Sequence, residues 1–327
     1  MTNESVFNLT ELPKRLVVIG AGPIGCEMAQ AFARFGSKVS ILEPSDHILS
    51  REDRQAAEVV QGFMLKDGVK IFCNMQLSKV ETRGAEKVVT ISQRGQIVEI
   101  PCDAILVGAG RAPNVDNIGL EAAGVVFDKR EGVRVDDNLQ TTNPAIYAAG
   151  DVASKFKFTH AADFLARIVI ENALFKTGLL KIAGRRKASD LVIPWCTYTH
   201  PEVAHVGAYE AELRKANIQF RTFEQPMEDV DRAILDGDDH GFVKIHTELK
   251  TDKILGATIV ARNAGDMIGE LTLAMKYGVG LSSISSVIHP YPTQAEAIRK
   301  TGDVFNRTKL TPRLKAITTW LMKLRRK

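Results

Sequence analysis

The chain has 327 residues, long enough for two or three domains, and its 45% hydrophobic and 25% charged residues are the balance of an ordinary globular protein. A formal net charge of +4 over that length gives no argument for nucleic acid as a partner. No apolar run has the ~20 residues needed to cross a bilayer, and Met1–Thr10 carries no signal-peptide pattern, so a cytoplasmic location is expected.

Arg15–Gly20 reads as a buried parallel strand, because Leu16, Val17, Val18 and Ile19 form one continuous apolar run. A glycine-rich turn follows, then a helix over about Pro23–Phe35, ended by Gly36. Lys38–Glu43 is a second strand. Glu52 and Asp53 put negative charge at the head of an amphipathic helix over Arg51–Asp67, ahead of a short strand Val69–Phe72. Three β-type runs (Leu77–Thr82, Lys87–Ser92, Gln96–Ile100), separated by Gly84 and by Arg94-Gly95, suit an antiparallel meander. Ala104–Val107 then returns to the buried-strand pattern. Residues 1–112 therefore read as one nucleotide-binding domain.

Residues 113–186 shift in composition. Gly119–Gly124 suggests a short helical piece, Gly132–Asp137 a strand, and Ala161–Phe175 a long helix, a set too loosely patterned to be a whole domain. Residues 187–306 carry strand-like runs at Trp195–Thr199, Ile218–Glu224, Phe242–His246 and Ile254–Val260, with helices at Tyr209–Lys215 and Ala264–Tyr277, which suits an α+β domain. The tail, residues 307–327, is basic and amphipathic. It reads as a solvated terminal helix, with an anionic membrane or partner surface as the alternative. The four cysteines (Cys26, Cys73, Cys102, Cys196) form no CxxC and no metal-ligand spacing, so no metal is expected and reduced thiols are.

Gly20-Ala21-Gly22-Pro23-Ile24-Gly25 fills the GxGxxG pattern, and the context is right on both sides: a buried strand before it, a helix after it. Gly20 permits the tight turn, Gly22 lets the backbone approach a pyrophosphate, and Gly25 lets helix and strand pack closely. The pyrophosphate of a dinucleotide would sit on the free N–H groups and dipole of the helix N-terminus. Glu43 ends the second strand, 21 residues beyond Gly22, where a carboxylate accepts from the ribose hydroxyls. A carboxylate there repels a 2′-phosphate and no arginine lies between Pro44 and Ser50, so NADH is preferred over NADPH.

Further segments extend the pattern. Cys26-Glu27 continues the glycine turn into GxGxxGxE, and Val107 through Asn114 contains Gly110-Arg111-Ala112-Pro113-Asn114. Thr142 through Asp151 ends in Ala148-Ala149-Gly150-Asp151, followed by His160-Ala161 and by Thr199 through Gly207. In this order they resemble the pyridine nucleotide–disulfide oxidoreductases, the flavoprotein family of dihydrolipoamide dehydrogenase, glutathione reductase and mercuric reductase, from Leu12 to about Asn306. The resemblance implies a Rossmann-type NAD(P)-binding domain, a partial FAD-domain segment and a C-terminal α+β dimerisation domain, in a homodimer. It places Glu27 near the nicotinamide, Gly110 in the segment that closes the NAD domain, Asp151 on the ribityl chain of FAD and His160 near the flavin. Val80 is taken with them as a cofactor-binding position.

Two departures bear on the chemistry. The family carries a first FAD unit with its own GxGxxG and a CxxxxC redox pair before the NAD domain, and neither is in this chain. The FAD site is therefore expected to be incomplete, in a truncated product, a fragment, or half of a split enzyme whose FAD unit comes from a separate chain. Residues 111–186 alone would leave apolar faces uncovered. The second departure is His289-Pro290-Tyr291-Pro292-Thr293-Gln294-Ala295-Glu296. Reductases of lipoamide or glutathione place a His five residues before a Glu here, whereas this chain has Tyr291 at that position and His289 seven before Glu296. Tyrosine resembles the mercuric reductase pattern, although the tail has no cysteine pair. A phenol with an ordinary pKa near ~10 is a hydrogen-bond donor rather than a base at neutral pH. Tyr291, His289 and Glu296 are the catalytic candidates, with interface packing as their alternative role. The expected function is an NADH-dependent, FAD-linked oxidoreductase; the alternative is a non-catalytic NAD-binding dimer or fragment that cannot hold FAD. An NADH–ferredoxin reductase or NADH oxidase fits the His-Pro-Tyr-Pro segment less well.

Overall fold

The structure is a computed structural model that describes residues 1–84, 86–176 and 184–325. β1 (Arg15–Ile19) can be apolar throughout because both its faces are covered. Leu16 and Val18 pack with Cys26, Ala29 and Val60, while Val17 joins Leu42, Val89, Ile91 and Ile100 on the other side. α1 (Pro23–Arg34) and β2 (Lys38–Leu42) complete the first βαβ unit, with Gly36 (φ +106°) making the turn between them. α2 (Arg54–Lys66) starts three residues later than the sequence suggests. Asp53 is its cap: one carboxylate oxygen accepts the N–H groups of Gln55 and Ala56 at 2.9 and 3.2 Å.

β3 (Lys70–Phe72) is followed by a meander of β4 (Met75–Arg83), β5 (Glu86–Gln93) and β6 (Gln96–Cys102), then by β7 (Ala104–Val107). The parallel sheet has the order β3-β2-β1-β7, and its register sets Ile19 beside both Leu42 and Val107. The carboxyl ends of three strands thus finish level, and the glycine turn begins there.

Residues 110–193 form a compact unit of their own. Its elements are β8 (Phe127–Asp128), β9 (Gly132–Val133) and α3 (Thr159–Ile170), which runs on as a π-helical turn over Glu171–Phe175. Gly119–Gly124 makes turns rather than a helix, because both bounding glycines adopt positive φ and Val125 N–H already closes onto the Leu120 carbonyl at 2.9 Å. The expected strand Gly132–Asp137 stops at Val133, since Asp136 draws the N–H groups of Asn138 and Gln140 onto its side chain at 2.9 Å. Residues 177–183 of the middle region, and Arg326 and Lys327 of the tail, lie outside the described residues.

From Pro194 onward the chain belongs to the same compact unit as Met1–Ala109. It supplies β10 (Trp195–Thr197), β11 (Glu202–Gly207), α4 (Glu210–Lys215), β12 (Phe220–Pro226), α5 (Asp231–Asp236), β13 (Phe242–Glu248) and β14 (Ile254–Ala261). Then come α6 (Ala264–Tyr277), α7 (Leu281–Ile284), α8 (Glu296–Arg307) and α9 (Pro312–Arg325). The antiparallel sheet runs β10-β11-β14-β13-β12. β11 hides from a hydropathy reading because it carries a buried imidazole: His205 Nδ1 lies 2.8 Å from the Thr258 hydroxyl and its ring stacks on Tyr209. α8 hides too, since Thr301 and Gly302 stand in its buried stripe with Ala297, Ile298 and Phe305.

The two halves of this unit are joined at the head of α2. Glu52 accepts the Trp195 indole N–H at 3.1 Å and the Tyr209 hydroxyl, and burial pushes its carboxyl above the usual range. Asp53, besides capping α2, forms an ion pair at 3.0 Å with Lys244, both side chains nearly buried. Such a pair is costly to break, because either partner alone would be an uncompensated buried charge.

Candidate functional site

The glycine turn is built by close backbone approach. Gly20 (φ +98°) passes so near the end of β7 that a Cβ there would lie 2.9 Å from the Gly108 carbonyl oxygen. A Cβ on Gly25 would lie 2.0 Å from the Gly20 carbonyl oxygen, which no side chain can tolerate. Gly22 is different. It is the residue before α1, extended, and a Cβ there would meet nothing within 4 Å. So Gly20 and Gly25 are required by the fold itself, whereas Gly22 faces open space ahead of the helix N-terminus. Pro23 opens the helix where no N–H is needed, and Ile24 beside it is partly exposed. First-turn amides and the helix dipole make that space favourable to an anion.

Glu43 follows β2 at the same end of the sheet. Its carboxylate accepts Ala21 N–H at 2.8 Å and Ser45 N–H at 2.9 Å, one on each oxygen. The acid is therefore held against the glycine turn with lone pairs to spare. Glu27, one turn into α1, accepts Tyr198 N–H at 2.8 Å, and the neighbouring Gln30 accepts His200 N–H at 2.7 Å. One face of α1 is thus tied to the strand β10 end. Val80 lies elsewhere: it sits in β4, half exposed, in a shallow depression with Met1, Lys87, Asp103 and Ile105, toward the starting end of β7 rather than its carboxyl end. The fold does not carry it to the glycine turn.

In the 110–193 unit, Gly110 has φ +110° and open surroundings. Asp151 follows Gly150, which turns at φ +78°, and its carboxylate takes Arg111 at 3.3 Å. His160 stacks on Phe158 at 5.4 Å in the first turn of α3.

Tyr291, His289 and Glu296 are each held by a different partner. His289 places Nε2 3.1 Å from both carboxylate oxygens of Glu270 on α6, and Nδ1 3.0 Å from the Val287 carbonyl. The exposed Tyr291 hydroxyl donates to Asp231 on α5 at 2.7 Å, and that carboxylate holds the phenol pKa above its ordinary value. Glu296, in the first turn of α8, is paired with Arg299 at 2.7 Å. No contact joins His289 to Glu296. Glu270 and Asp231 were invisible as partners because they lie 19 and 60 residues away from the residues they bind. Gly108 was also missed as a packing residue, although a glycine directly after the buried run Ala104–Val107 is its signal. Among the described residues all four cysteines are free and no three His, Cys, Asp or Glu are grouped to hold a metal. Burial pushes the thiols of Cys26 and Cys196 well above the usual range, the opposite of what a reactive thiolate needs.

Residues 1–164 match the family described as pyridine nucleotide-disulphide oxidoreductase, and residues 193–301 match its dimerisation domain. The chain belongs to this family. Within it, similar curated proteins are a mercuric reductase of Lysinibacillus sphaericus, 34% identical over 94% of this chain and 55% of its own length, and a dihydrolipoyl dehydrogenase of Cupriavidus necator, 35% identical over 91% and 61%. Among solved structures of the family, the HOCl-induced flavoprotein disulfide reductase RclA of Escherichia coli is similar, with a TM-score of 0.83 and 29% identity over 93% of this chain and 67% of that one. The chain spans little more than half the length of the curated relatives it matches. Among the described residues no helix is long and apolar enough to cross a membrane.

Proposed function

We propose that this chain binds NADH at the α1 turn and acts as a homodimer in a flavin-linked oxidoreduction. The observation that carries the reading is the pair Gly22 and Glu43: open space at the head of α1, and beside it a carboxylate held by two backbone amides. The first suits the pyrophosphate and the second the ribose hydroxyls. That no arginine lies between Pro44 and Ser50 supports NADH over NADPH. Gly110, Asp151 and His160 are proposed to line the flavin side, and Glu27 the nicotinamide side. When bound, nicotinamide supplies a hydride and flavin accepts it.

The chain's own residues do the rest. Tyr291, fixed by Asp231 and kept protonated by it, offers an O–H donor rather than a base. His289 is oriented by Glu270 and Val287. Glu296 heads α8, and a dimer through the C-terminal sheet domain would present this segment to the partner. Burial, which raises the thiols of Cys26 and Cys196, argues against disulfide exchange by these two cysteines.

The test is an anaerobic NADH titration of the chain after incubation with FAD and desalting. A retained flavin band that bleaches with NADH supports the reductase reading. NADH binding without retained flavin would restrict the role to nicotinamide binding, and no binding of NADH would overturn the proposal.

A further inference from the structure

The basic tail is a formed helix over its described residues. Thr311 caps α9: its carbonyl accepts Lys315 N–H at 2.9 Å, its hydroxyl accepts Leu314 N–H at 3.3 Å, and Pro312 fills the first turn. Yet no residue of α9 is buried. Leu314, Ile317, Trp320, Leu321 and Leu324 are between 38% and 61% exposed. At 3.6 residues per turn these five fall within an arc of about 120°, the width of a face that normally meets an apolar medium. Lys315 and Lys323 lie across the helix from that arc and Arg325 at its margin; Arg313 alone falls inside it, in the first turn.

Charge decides what covers this face. Between residues 307 and 325 there are six cations (Arg307, Lys309, Arg313, Lys315, Lys323, Arg325), and no acidic residue follows Asp303. None of the six is ion-paired among the described residues. A second copy of α9 laid antiparallel on the stripe would bring Arg313 of one helix beside Arg325 of the other with no acidic residue to offset them, which disfavours the helix as its own partner. A nucleic acid would satisfy the charges and leave the apolar arc uncovered. Met322 stands outside the arc, but an apolar arc with a tryptophan, on a helix whose charged side chains are all cations, matches the boundary between acyl chains and anionic headgroups. The 14 residues of α9 extend only about 21 Å, too short for a bilayer core, so the helix would lie on the surface rather than span it.

We propose that α9 docks the protein peripherally on anionic phospholipid bilayers, with its apolar arc at the headgroup boundary. This goes beyond the nicotinamide reading and does not depend on it.

The test is co-sedimentation of the full chain with vesicles of equal parts phosphatidylcholine and phosphatidylglycerol, against vesicles of phosphatidylcholine alone. Partition into the anionic vesicles only is expected, with a blue shift of tryptophan emission that is absent in Trp320→Phe. Ile317→Asp with Leu321→Asp should lower the partition at least ~tenfold, since two apolar side chains are lost from the boundary. Lys315→Glu with Lys323→Glu should do likewise, and salt near ~0.5 M should release the wild type. Because these side chains are exposed, the variants should keep wild-type circular dichroism and NADH affinity. The proposal is overturned by no partition into anionic vesicles or by partition unchanged in the double aspartate variant. It is equally overturned by tighter binding to polyglutamate or duplex DNA than to vesicles, or by self-association that the aspartate variant abolishes.

Discussion

The glycine turn and the C-terminal sheet with its His289 segment lie in one compact unit, yet they are determined in opposite ways. The turn is specified by backbone contacts at Gly20 and Gly25 that admit only glycine, one of them within the turn itself and one against Gly108. The C-terminal region is specified by polar side chains whose partners come from far along the chain: His205 with Thr258, Lys244 with Asp53, His289 with Glu270. Local backbone rules can be read from a string of letters. Long-range polar pairing cannot, because the composition is the same whichever carboxylate is chosen.

The largest expected effect concerns acid. Burial pushes His205 down to about 3, and lowers His246 as well, so both are neutral in the fold. A depressed folded pKa contributes stability that is present above the unfolded value near ~6.5 and is lost as pH falls toward 3, on the order of 4 kcal/mol for His205. Urea unfolding from pH 7 downward should show this loss, and His205→Gln should flatten the slope. Equal slopes for both proteins would mean that the buried imidazole is not what makes the sheet acid-sensitive.

Next is the turn. Gly25→Ala should cost at least ~2 kcal/mol, because backbone rather than a flexible side chain stands in the way. Gly22→Ala should leave thermal unfolding nearly unchanged while weakening NADH about tenfold or more by filling the space the pyrophosphate needs. Equal losses of stability in the two variants would erase the distinction between a packing glycine and a ligand-facing one. Glu43→Gln should weaken NADH by about tenfold and leave the fold intact, measured by calorimetric titration of NADH and NADPH in parallel.

The smallest effect separates the carboxylates near His289. A double-mutant cycle of His289→Ala with Glu270→Gln should give a coupling of about 0.5–1 kcal/mol, and the same cycle with Glu296→Gln should give none. Coupling to Glu296 instead would restore the pairing that the family pattern suggests.

The α/β frame was legible because β1 and β7 announce themselves as unbroken apolar runs and the turn after β1 has a spacing set by backbone geometry. Asp53 as the cap of α2 could be read one residue at a time, but the boundary was misjudged because Glu52 looks equally suited. It is instead drawn away by Trp195, 143 residues on. β11 and α8 were hidden by histidine, threonine and glycine in buried stripes. The candidate site divides on the same line: the turn and Glu43 are adjacent in space as their spacing suggested, while Val80 lies toward the other end of β7 and the partners of Tyr291 and His289 had no signature.

The head of α2 has a consequence for modularity. Consecutive residues Glu52 and Asp53 are each claimed by the C-terminal sheet, through Trp195, Tyr209 and Lys244. Residues 1–109 are therefore not an independent cassette within this unit. A chimera that joins residues 1–109 to a sheet lacking counterparts of Trp195, Tyr209 and Lys244 would leave both carboxylates without these partners.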